Sequence, residues 1–153
     1  MVPIVVALGS NLGDSEANLR QTFALLSEFV ADARMSSIWE TEPMYLEDQP
    51  RFRNAVVTGR ASEGPLGLLR RMKRLETELG RVPGPRNGPR AIDLDLVAYG
   101  GLRYRFEEVG QTVLQVPHPR AHERAFVLGP WAELEPEGEL PGMGSIRRLL
   151  DRL

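Results

Sequence analysis

The sequence predicts an α+β domain in which helices pack on the faces of an antiparallel sheet. Strand-like and helix-like segments follow one another in the order β-α-β-β-α-β, both helix-like segments are amphipathic, and neither a repeat nor a long linker divides the chain. With 153 residues, 42% of them hydrophobic and 26% charged, the chain can bury one core of ordinary size. We therefore predict a single domain over residues 1–153.

The first strand and the first helix meet at a turn that contains glycine. The β-branched run "PIVVAL" (3–8) predicts the strand, and "GSNLGD" follows it. Gly9 and Gly13 suit a turn there, and Asp14 can cap the next helix. The segment lacks the Gly-Lys-Ser/Thr of a P-loop, so a capped turn is a better interpretation than a phosphate-binding loop. Apolar residues at helical spacing predict the helix: Leu19, Phe23, Leu26 and Val30.

Two strands and a second helix follow. Residues 35–41 and 54–61 predict the strands, and a polar loop that contains proline separates them. Pro65 opens the helix and Gly80 closes it. Its predicted core-facing residues are Leu66, Leu69, Met72, Leu75 and Leu79. Residues 81–89, with three prolines and two glycines, are predicted to form a loop.

The segment "IDLDLV" (92–97) predicts the next strand and completes the element order of the ferredoxin-like fold, in which two helices cover one face of the sheet. Beyond it we predict, in order, a hairpin near Gly100 and Gly101, a strand at about 112–116, a helix from about residue 120 and a final helix over 145–153. This fold supports metal-dependent phosphoryl chemistry and also RNA-binding modules, so it leaves the function open.

Composition and charge exclude several classes of function. The chain has no cysteine, which excludes disulfides and thiolate metal sites and fits a reducing compartment, so we expect a cytoplasmic protein. No window approaches 18 consecutive apolar residues, so we expect no membrane partner. The net charge is −2, and the predicted central strands lack the exposed aromatics of an RNA-binding sheet, so we expect no nucleic acid partner.

Two aspartates stand inside the strand "IDLDLV". Alternation places Asp93 and Asp95 on the face opposite Ile92, Leu94 and Leu96. They could belong to a solvated face, but aspartate is disfavoured in strands and neighbouring like charges repel. At about 6.5 Å apart along the strand, the two carboxylates can instead converge on one or two divalent cations, and Mg²⁺ prefers such ligands. We therefore favour a metal site.

Arginines precede the aspartate pair. Residues 70–90 contain seven basic and two acidic side chains, and Arg81, Arg86 and Arg90 lie in the segment that leads into the strand. A metal that bridges phosphate oxygens, together with several forked guanidiniums, is what a polyphosphate substrate requires. The pattern predicts a magnesium-dependent enzyme that acts on a polyphosphate.

These residues belong to a longer pattern that resembles one family. "RNGPRAIDLDLV" is similar to the signature of the 6-hydroxymethyl-7,8-dihydropterin pyrophosphokinases, enzymes of the folate pathway. "ALGSNLGD", "EDQPRFRNAVV" and "VPHPRAHERAFVLGPWAELEP" agree with that family in order and spacing, so the resemblance spans nearly the whole chain. It implies a ferredoxin-like monomer that transfers pyrophosphate from ATP to the hydroxymethyl group of the pterin and releases AMP.

The resemblance also implies roles for individual residues. Asp93 and Asp95 would hold two Mg²⁺ ions that bridge the ATP phosphates. The ATP-binding residues would be Lys73, Glu76, Arg81, Arg86, Arg90, His118 and Arg124. The catalytic residues would be Arg81, Arg90 and Asp95. The pterin, a flat heterocycle suited to enclosure by two rings and to an amide at its edge, would contact Asn11, Thr41, Phe52, Asn54 and Phe126.

Two points stay open at this level. The general base for the hydroxymethyl proton could be a metal-bound oxygen or Asp95 itself. The rival function is another Mg²⁺-dependent nucleotidyl or phosphoryl transferase on the same fold. Such an enzyme would also use paired aspartates and would differ in its products.

Overall fold

The computed structural model describes residues 1–41, 51–80 and 91–153. Its strands are β1 (Val2–Ser10), β2 (Ala31–Met35), β3 (Trp39–Thr41), β4 (Phe52–Ala61), β5 (Asp93–Tyr99), β6 (Tyr104–Glu108), β7 (Gln111–Val116), β8 (Glu139–Leu140) and β9 (Gly144–Ser145). Its helices are α1 (Ser15–Leu26), α2 (Pro65–Glu78), α3 (Ala125–Leu134) and α4 (Ile146–Asp151), with a 3₁₀ turn at Ala121–Glu123. The loop predicted at 81–89 and most of the polar loop before β4 lie outside the described residues.

Five strands form one antiparallel sheet. Its order is β2-β4-β1-β5, and β3 also pairs with β4. β1 lies in the interior, with β4 on one side and β5 on the other. β5 is an edge strand of this sheet, and β2 and β3 share the opposite edge. The predicted α+β, ferredoxin-like class is confirmed.

Helices cover both faces of the sheet. On the first face, α1 and α2 contribute Leu19 and Met72 to a buried cluster with strand residues such as Leu94. On the second face, α3 and α4 cover a separate cluster that includes Val56 and Trp131. We call these the α1/α2 face and the α3/α4 face. The prediction that the first two helices share one face is confirmed, and the last two helices enclose the other.

The predicted strand at 35–41 is in fact two strands. β2 and β3 both pair with β4, but the chain departs from the ladder between them. At the break, the Ser36 hydroxyl accepts a hydrogen bond from Val56 N–H at 2.9 Å, and Ser36 N–H donates to Val56 O at 2.9 Å. A side chain thus takes part in the ladder where the backbone turns away. Residue preferences cannot reveal such a substitution because it depends on a distant strand.

Helix α1 is shorter than its predicted apolar stripe. It stops at Leu26, because the chain turns back there to enter β2. Val30, predicted as part of the stripe, is nevertheless only 2% exposed. The predicted cap is confirmed, since the Asp14 carboxylate accepts from Ala17 N–H at 3.1 Å. Among the described residues, no helix combines the length and the apolar character that a membrane crossing requires.

The core-facing side of α2 differs from the predicted one. Its buried residues are Leu68, Met72, Leu75 and Glu76. The predicted residues Leu66, Leu69 and Leu79 are only partly buried. The prediction placed only apolar residues on the buried face of α2. It was wrong in part because Glu76 is buried on that face as well. Later in the chain, α3 begins at Ala125 rather than near 120, after the 3₁₀ turn, and α4 covers only part of 145–153.

The hairpin is also displaced from its predicted place. Gly100 does turn the chain after β5, with a φ of +54°, but β5 and β6 do not pair. β6 instead pairs with β7 in a separate two-stranded sheet, whose turn lies at Val109 and Gly110. Part of the free edge of β5 is used by His118, whose backbone N–H donates to Val97 O at 2.9 Å.

Candidate active site

Asp93 and Asp95 stand at the start of β5 and project onto the α3/α4 face. Leu94, between them, points to the opposite face and joins its buried cluster, as alternation predicts. In the register with β1, Gly9 is paired with Asp93 and Ala7 with Asp95. Side chains of paired residues lie on the same face of a sheet. The two carboxylates therefore have two of the smallest residues beside them, which leaves space next to them above the sheet.

The aspartate pair holds negative charge in a partly dehydrated place. Burial, and then the neighbouring Asp93 carboxylate, raise the pKa of Asp95 from 3.8 to about 6. The cations of Lys73 and Arg124 act in the opposite direction without cancelling the shift. At neutral pH Asp95 is still mostly ionised, so a bound cation would stabilise the pair by offsetting the repulsion between its two carboxylates.

Two side chains of α2 hold the free edge of β5 between the aspartates. The Glu76 carboxylate accepts a hydrogen bond from Leu94 N–H at 2.7 Å, and Lys73 Nζ donates to Leu94 O at 3.3 Å. Lys73 and Glu76 also form an ion pair at 3.2 Å. Because an edge strand has unpaired backbone groups, these side chains take the place of a neighbouring strand. They fix the backbone from which both aspartates project.

Arg124 and His118 lie near the aspartate pair, since the cation of Arg124 acts to lower the pKa of Asp95 and the carboxylate of Asp93 acts to raise the pKa of His118. His118 Nδ1 accepts from Arg120 N–H at 3.1 Å, so the neutral imidazole carries its proton on Nε2. Burial, and then the cation of Arg124, lower the pKa of His118 to about 4. Among the described residues, Arg124 Nε is buried without a hydrogen-bond partner. The site therefore combines a neutral N–H donor and a cation with one unused donor.

A second cluster lies across the sheet on β3 and β4. Asn54 is 7% exposed, and its Nδ2 donates to Thr41 Oγ1 at 2.8 Å. Phe52 precedes Asn54 by two residues and so projects from the same face of β4. A Cβ at Gly9 of β1 would lie 3.2 Å from Asn54 Oδ1 and 3.8 Å from Phe52 Cδ1. The missing side chain of Gly9 therefore makes room for both.

The structure corrects the interpretation of Gly9. We predicted a turn residue with an unusual backbone conformation, and only Gly13 has that role, with a φ of +68°. Gly9 lies inside β1, which continues to Ser10. A glycine within a strand typically marks a close approach of neighbouring groups. That signal was present in the sequence, but the residues that approach Gly9 were not identifiable from it.

One row of paired residues joins the two clusters. Asn54 is paired with Gly9, and Gly9 is paired with Asp93. Neighbouring strands are about 4.8 Å apart, so the amide-bearing and carboxylate-bearing strand positions are about 10 Å apart. Both side chains project from the same face, with only a glycine between them. The sequence predicted the members of both clusters but not this adjacency.

Of the other predicted residues, Phe126 and Asn11 are described by the structure and belong to neither cluster. Phe126 lies in the first turn of α3, packs against the α3/α4 cluster and has its ring centroid 5.7 Å from Arg124 Cζ. Asn11 directly follows β1 and is 2% exposed. The predicted arginines that lie outside the described residues are Arg81, Arg86 and Arg90.

Asn18 is a residue of this region that the sequence analysis missed. Its Nδ2 donates to Leu12 O at 2.9 Å and to Ala91 O at 3.3 Å. Ala91 is the first described residue before β5, and its carbonyl also accepts from the Ser10 hydroxyl. Asn18 thus joins α1 to the entrance of the aspartate strand. No periodicity or motif in the sequence distinguishes it from the other polar residues of α1.

Comparisons with known proteins identify the family of this chain. The family model described as 7,8-dihydro-6-hydroxymethylpterin-pyrophosphokinase matches residues 5–136. The 2-amino-4-hydroxy-6-hydroxymethyldihydropteridine pyrophosphokinase of Bacillus subtilis (strain 168) is 45% identical over 131 residues, 84% of this chain and 75% of that protein. The mitochondrial folate synthesis bifunctional protein of Pisum sativum is 42% identical over 132 residues, 86% of this chain. The chain spans only 25% of the length of that plant relative.

A solved structure agrees in fold. The crystal structure of Plasmodium falciparum HPPK-DHPS with pteroate matches with a TM-score of 0.78 at 14% identity, over 99% of this chain and 42% of that chain. At this identity the likeness shows the fold alone. The family match, by contrast, includes both the aspartate pair and the Thr41–Asn54 cluster. This chain belongs to the 7,8-dihydro-6-hydroxymethylpterin-pyrophosphokinase family.

Proposed function

We propose that the protein transfers pyrophosphate from ATP to 6-hydroxymethyl-7,8-dihydropterin, producing AMP and the pterin pyrophosphate. Family membership supports this reaction. The observation that carries the proposal is the row Asn54–Gly9–Asp93, which sets a hydrogen-bonding amide beside a carboxylate pair. A heterocycle bound at the amide could extend a substituent toward phosphates bound at the carboxylates, because the two are about 10 Å apart.

Two Mg²⁺ ions are the cofactor that we propose for the aspartate pair. Among the described residues, no group of three or more His, Cys, Asp or Glu side chains is arranged to enclose a metal ion. Asp93 and Asp95 nevertheless fit Mg²⁺, which binds through one or two carboxylates and completes its shell with water and substrate phosphates. Bound there, Mg²⁺ would neutralise charge on the phosphate oxygens.

The nucleotide would lie beside β5. His118 is neutral and can donate its Nε2–H to a phosphate oxygen, and Arg124 can add a charge-assisted hydrogen bond from its unused donor. Lys73 is half-exposed and could reach ATP while it holds Leu94 O. Glu76 is buried against Leu94 N–H, so its contribution to ATP binding would pass through the position of β5.

The arginines of the segment 81–90 would complete the phosphate site. We propose that Arg81 and Arg90 stabilise charge on the transferring group and that Arg86 adds a further contact, as the resemblance implies. The segment precedes Ala91, whose carbonyl accepts hydrogen bonds from Ser10 and Asn18 and which lies two residues before Asp93 in the chain.

The pterin would occupy the Thr41–Asn54 end of the site. The Asn54 amide retains Oδ1 and one Nδ2 proton after its bond to Thr41, and these can bind the edge of the heterocycle. Phe52 and Phe126 would stack on its faces, because both project on the side of the sheet that α3 covers. Asn11 would line the same pocket from the end of β1.

Release of AMP tests the proposal directly. AMP would be measured from MgATP with and without 6-hydroxymethyl-7,8-dihydropterin, with Asp95→Asn as the control. Pterin-dependent AMP that is lost in the variant would support both the reaction and the metal site. Free pyrophosphate with a nucleotidylated acceptor would instead support the rival nucleotidyl transferase. Folded protein that yields neither product would show the proposal to be wrong.

We further propose that the protein acts as a monomer in the cytoplasm. Both clusters are built from strands of a single sheet in one chain, so the described part of the site needs no second copy. The lack of cysteine suits a reducing compartment. Sedimentation equilibrium and cell fractionation test the two statements. A stable dimer, or recovery outside the cytoplasmic fraction, would contradict them.

A further inference from the structure

We infer that Glu133 is a positioning residue for the pterin end of the site, because its carboxylate ties α3, which carries Phe126, to β3, which carries Thr41. The inference rests on the proposed function, since it assigns a role relative to pterin binding. Glu133 itself would not touch the substrate. It would set the distance between the groups on either side of the heterocycle.

Three hydrogen bonds converge on the Glu133 carboxylate from the corner between β2 and β3. Ser37 N–H donates to Oε2 at 3.0 Å, and the Ser37 hydroxyl and Trp39 Nε1 donate to Oε1 at 2.6 and 2.7 Å. Burial acts to raise the pKa of Glu133, but these hydrogen bonds outweigh it and hold the pKa below its usual value. The corner is therefore held by a charged acceptor, and such bonds are stronger than neutral ones.

The same face of α3 receives the ring of Trp39. A Cβ at Gly129 would lie 2.2 Å from Trp39 Cη2, so the indole rests directly on the helix backbone. Gly129 precedes Glu133 by about one helical turn, so the two residues lie on the same side of α3. Gly129 contacts the Trp39 ring, and Glu133 accepts the hydrogen bond from the indole N–H. Arg34 of β2 adds a bond from Nη2 to Leu134 O at 3.0 Å. The end of α3 is thus fastened to the β2–β3 corner at several points.

This junction connects two residues that we assign to the pterin. Trp39 is paired with Asn54, and Thr41, two residues further along β3, accepts the Asn54 amide hydrogen bond. Phe126 precedes Glu133 by two helical turns on α3. Loss of the junction would let β3 shift relative to Phe126. The aspartate pair would be unaffected, because β4 and β1 lie between β3 and β5.

The first experiment compares steady-state kinetics of Glu133→Gln with those of the wild type. Glutamine offers one acceptor oxygen, and its NH₂ group would oppose a donor from the corner, so part of the junction is lost at almost constant volume. We expect the KM for the pterin to rise roughly fivefold to twentyfold. The KM for ATP should stay within about twofold of the wild type, because β4 and β1 separate β3 from the aspartate strand. A purely structural loss would instead raise the KM for both substrates.

The chain offers a matched control on the same helix end. Glu135 also accepts a hydrogen bond from a tryptophan, Trp131 Nε1 at 2.8 Å, but this bond joins α3 to its own C-terminal cap. Glu135→Gln should therefore leave the KM for the pterin unchanged. Thermal unfolding of both variants shows whether either has lost its fold. A rise in pterin KM of equal size in both variants would overturn the inference.

A second variant tests the bond itself. Trp39→Phe removes the Nε1–H donor together with the outer ring atoms that lie on Gly129. It should raise the KM for the pterin in the same direction, and the effects of Trp39→Phe and Glu133→Gln should be less than additive, because both remove one shared bond. Full additivity would overturn the coupling that we infer between these residues.

The outcomes separate this inference from the proposed function. If the wild type releases pterin-dependent AMP and Glu133→Gln leaves the pterin KM unchanged, or raises both KM values equally, the inference alone is overturned. If the wild type releases no pterin-dependent AMP, the proposed function fails and the inference fails with it. A selective rise in the pterin KM supports both.

Discussion

The aspartate pair and the Thr41–Asn54 cluster are held in place by different means. Asp93 and Asp95 are charged, stand on the edge strand β5, and depend on side chains of α2 that bind the strand's backbone. Thr41 and Asn54 are neutral and form a hydrogen bond to each other, and Asn54 occupies space that is open because Gly9 has no side chain. Only one residue of β1 separates the two clusters.

This difference implies that the two clusters can be altered separately. Charge and burial govern the aspartate pair, so substitutions there should act through ionisation, metal binding and the backbone of β5. Shape and hydrogen-bond geometry govern the Thr41–Asn54 cluster, so substitutions there should change the KM for the pterin and leave the KM for ATP nearly unchanged. Substitutions of Asp95, Glu76, His118 and Gly9 test this separation.

Asp95→Asn should abolish the function of the aspartate pair while the fold persists. We expect turnover to fall by about a thousandfold or more, because an amide binds Mg²⁺ weakly and adds no charge. The unfolding temperature should not fall, since a buried carboxylate with a raised pKa is replaced by a neutral isostere. AMP release and thermal unfolding are the measurements. Asp14→Asn, which preserves a helix cap, is the control, and normal activity in Asp95→Asn would disprove the metal assignment.

Glu76→Ala should test whether α2 supports the aspartate strand. It would leave Leu94 N–H and Lys73 without their buried acceptor, and we expect a loss of about 2–4 kcal/mol in the free energy of unfolding. Urea unfolding gives the value. Glu78→Ala, at an exposed position of the same helix, should change stability by less than about 0.5 kcal/mol. Equal effects of the two substitutions would argue against the edge-strand role of Glu76.

His118 should make stability depend on pH in the acidic range. Its pKa is about 4 in the folded protein and 6.5 ordinarily, so the unfolded chain binds its proton first as the pH falls. The wild type should therefore lose about 2–3 kcal/mol relative to His118→Gln between pH 6.5 and pH 4. Urea unfolding across this range measures the difference, with His122→Gln as the control. A difference that does not vary with pH would show that burial of His118 is not the cause.

Gly9→Ala should disturb the Thr41–Asn54 cluster with the smallest chemical change. The added methyl group would lie 3.2 Å from Asn54 Oδ1, so the amide must shift by a few tenths of an ångström. We expect the KM for the pterin to rise about threefold to tenfold, with the KM for ATP nearly unchanged. Gly101→Ala, where a Cβ would have no neighbour within 4 Å, is the control. A larger change in the KM for ATP than for the pterin would show that the clusters are not separable.

Local patterns in the sequence determined a large part of this molecule. The period of two placed Asp93 and Asp95 opposite Leu94, and the acid before the first helix identified Asp14 as its cap. The order of elements gave the fold class, and motifs spread over the chain gave the family, both of which are confirmed. These features depend on residues that are close in sequence, or on the order of segments, and both can be read from one chain.

Other features were decided only by the tertiary structure. Four of them depend on contacts between segments far apart in sequence. They are the burial of Glu76, the space that Gly9 leaves for Asn54, the break of the predicted strand at Ser36, and the hydrogen bonds from Ser37 to Glu133. A polar residue is buried or exposed according to which partner satisfies it, and that partner is set by packing rather than by its neighbours. The sequence alone therefore determined the order of the elements and the side of β5 from which Asp93 and Asp95 project, and the fold decided what those side chains meet there.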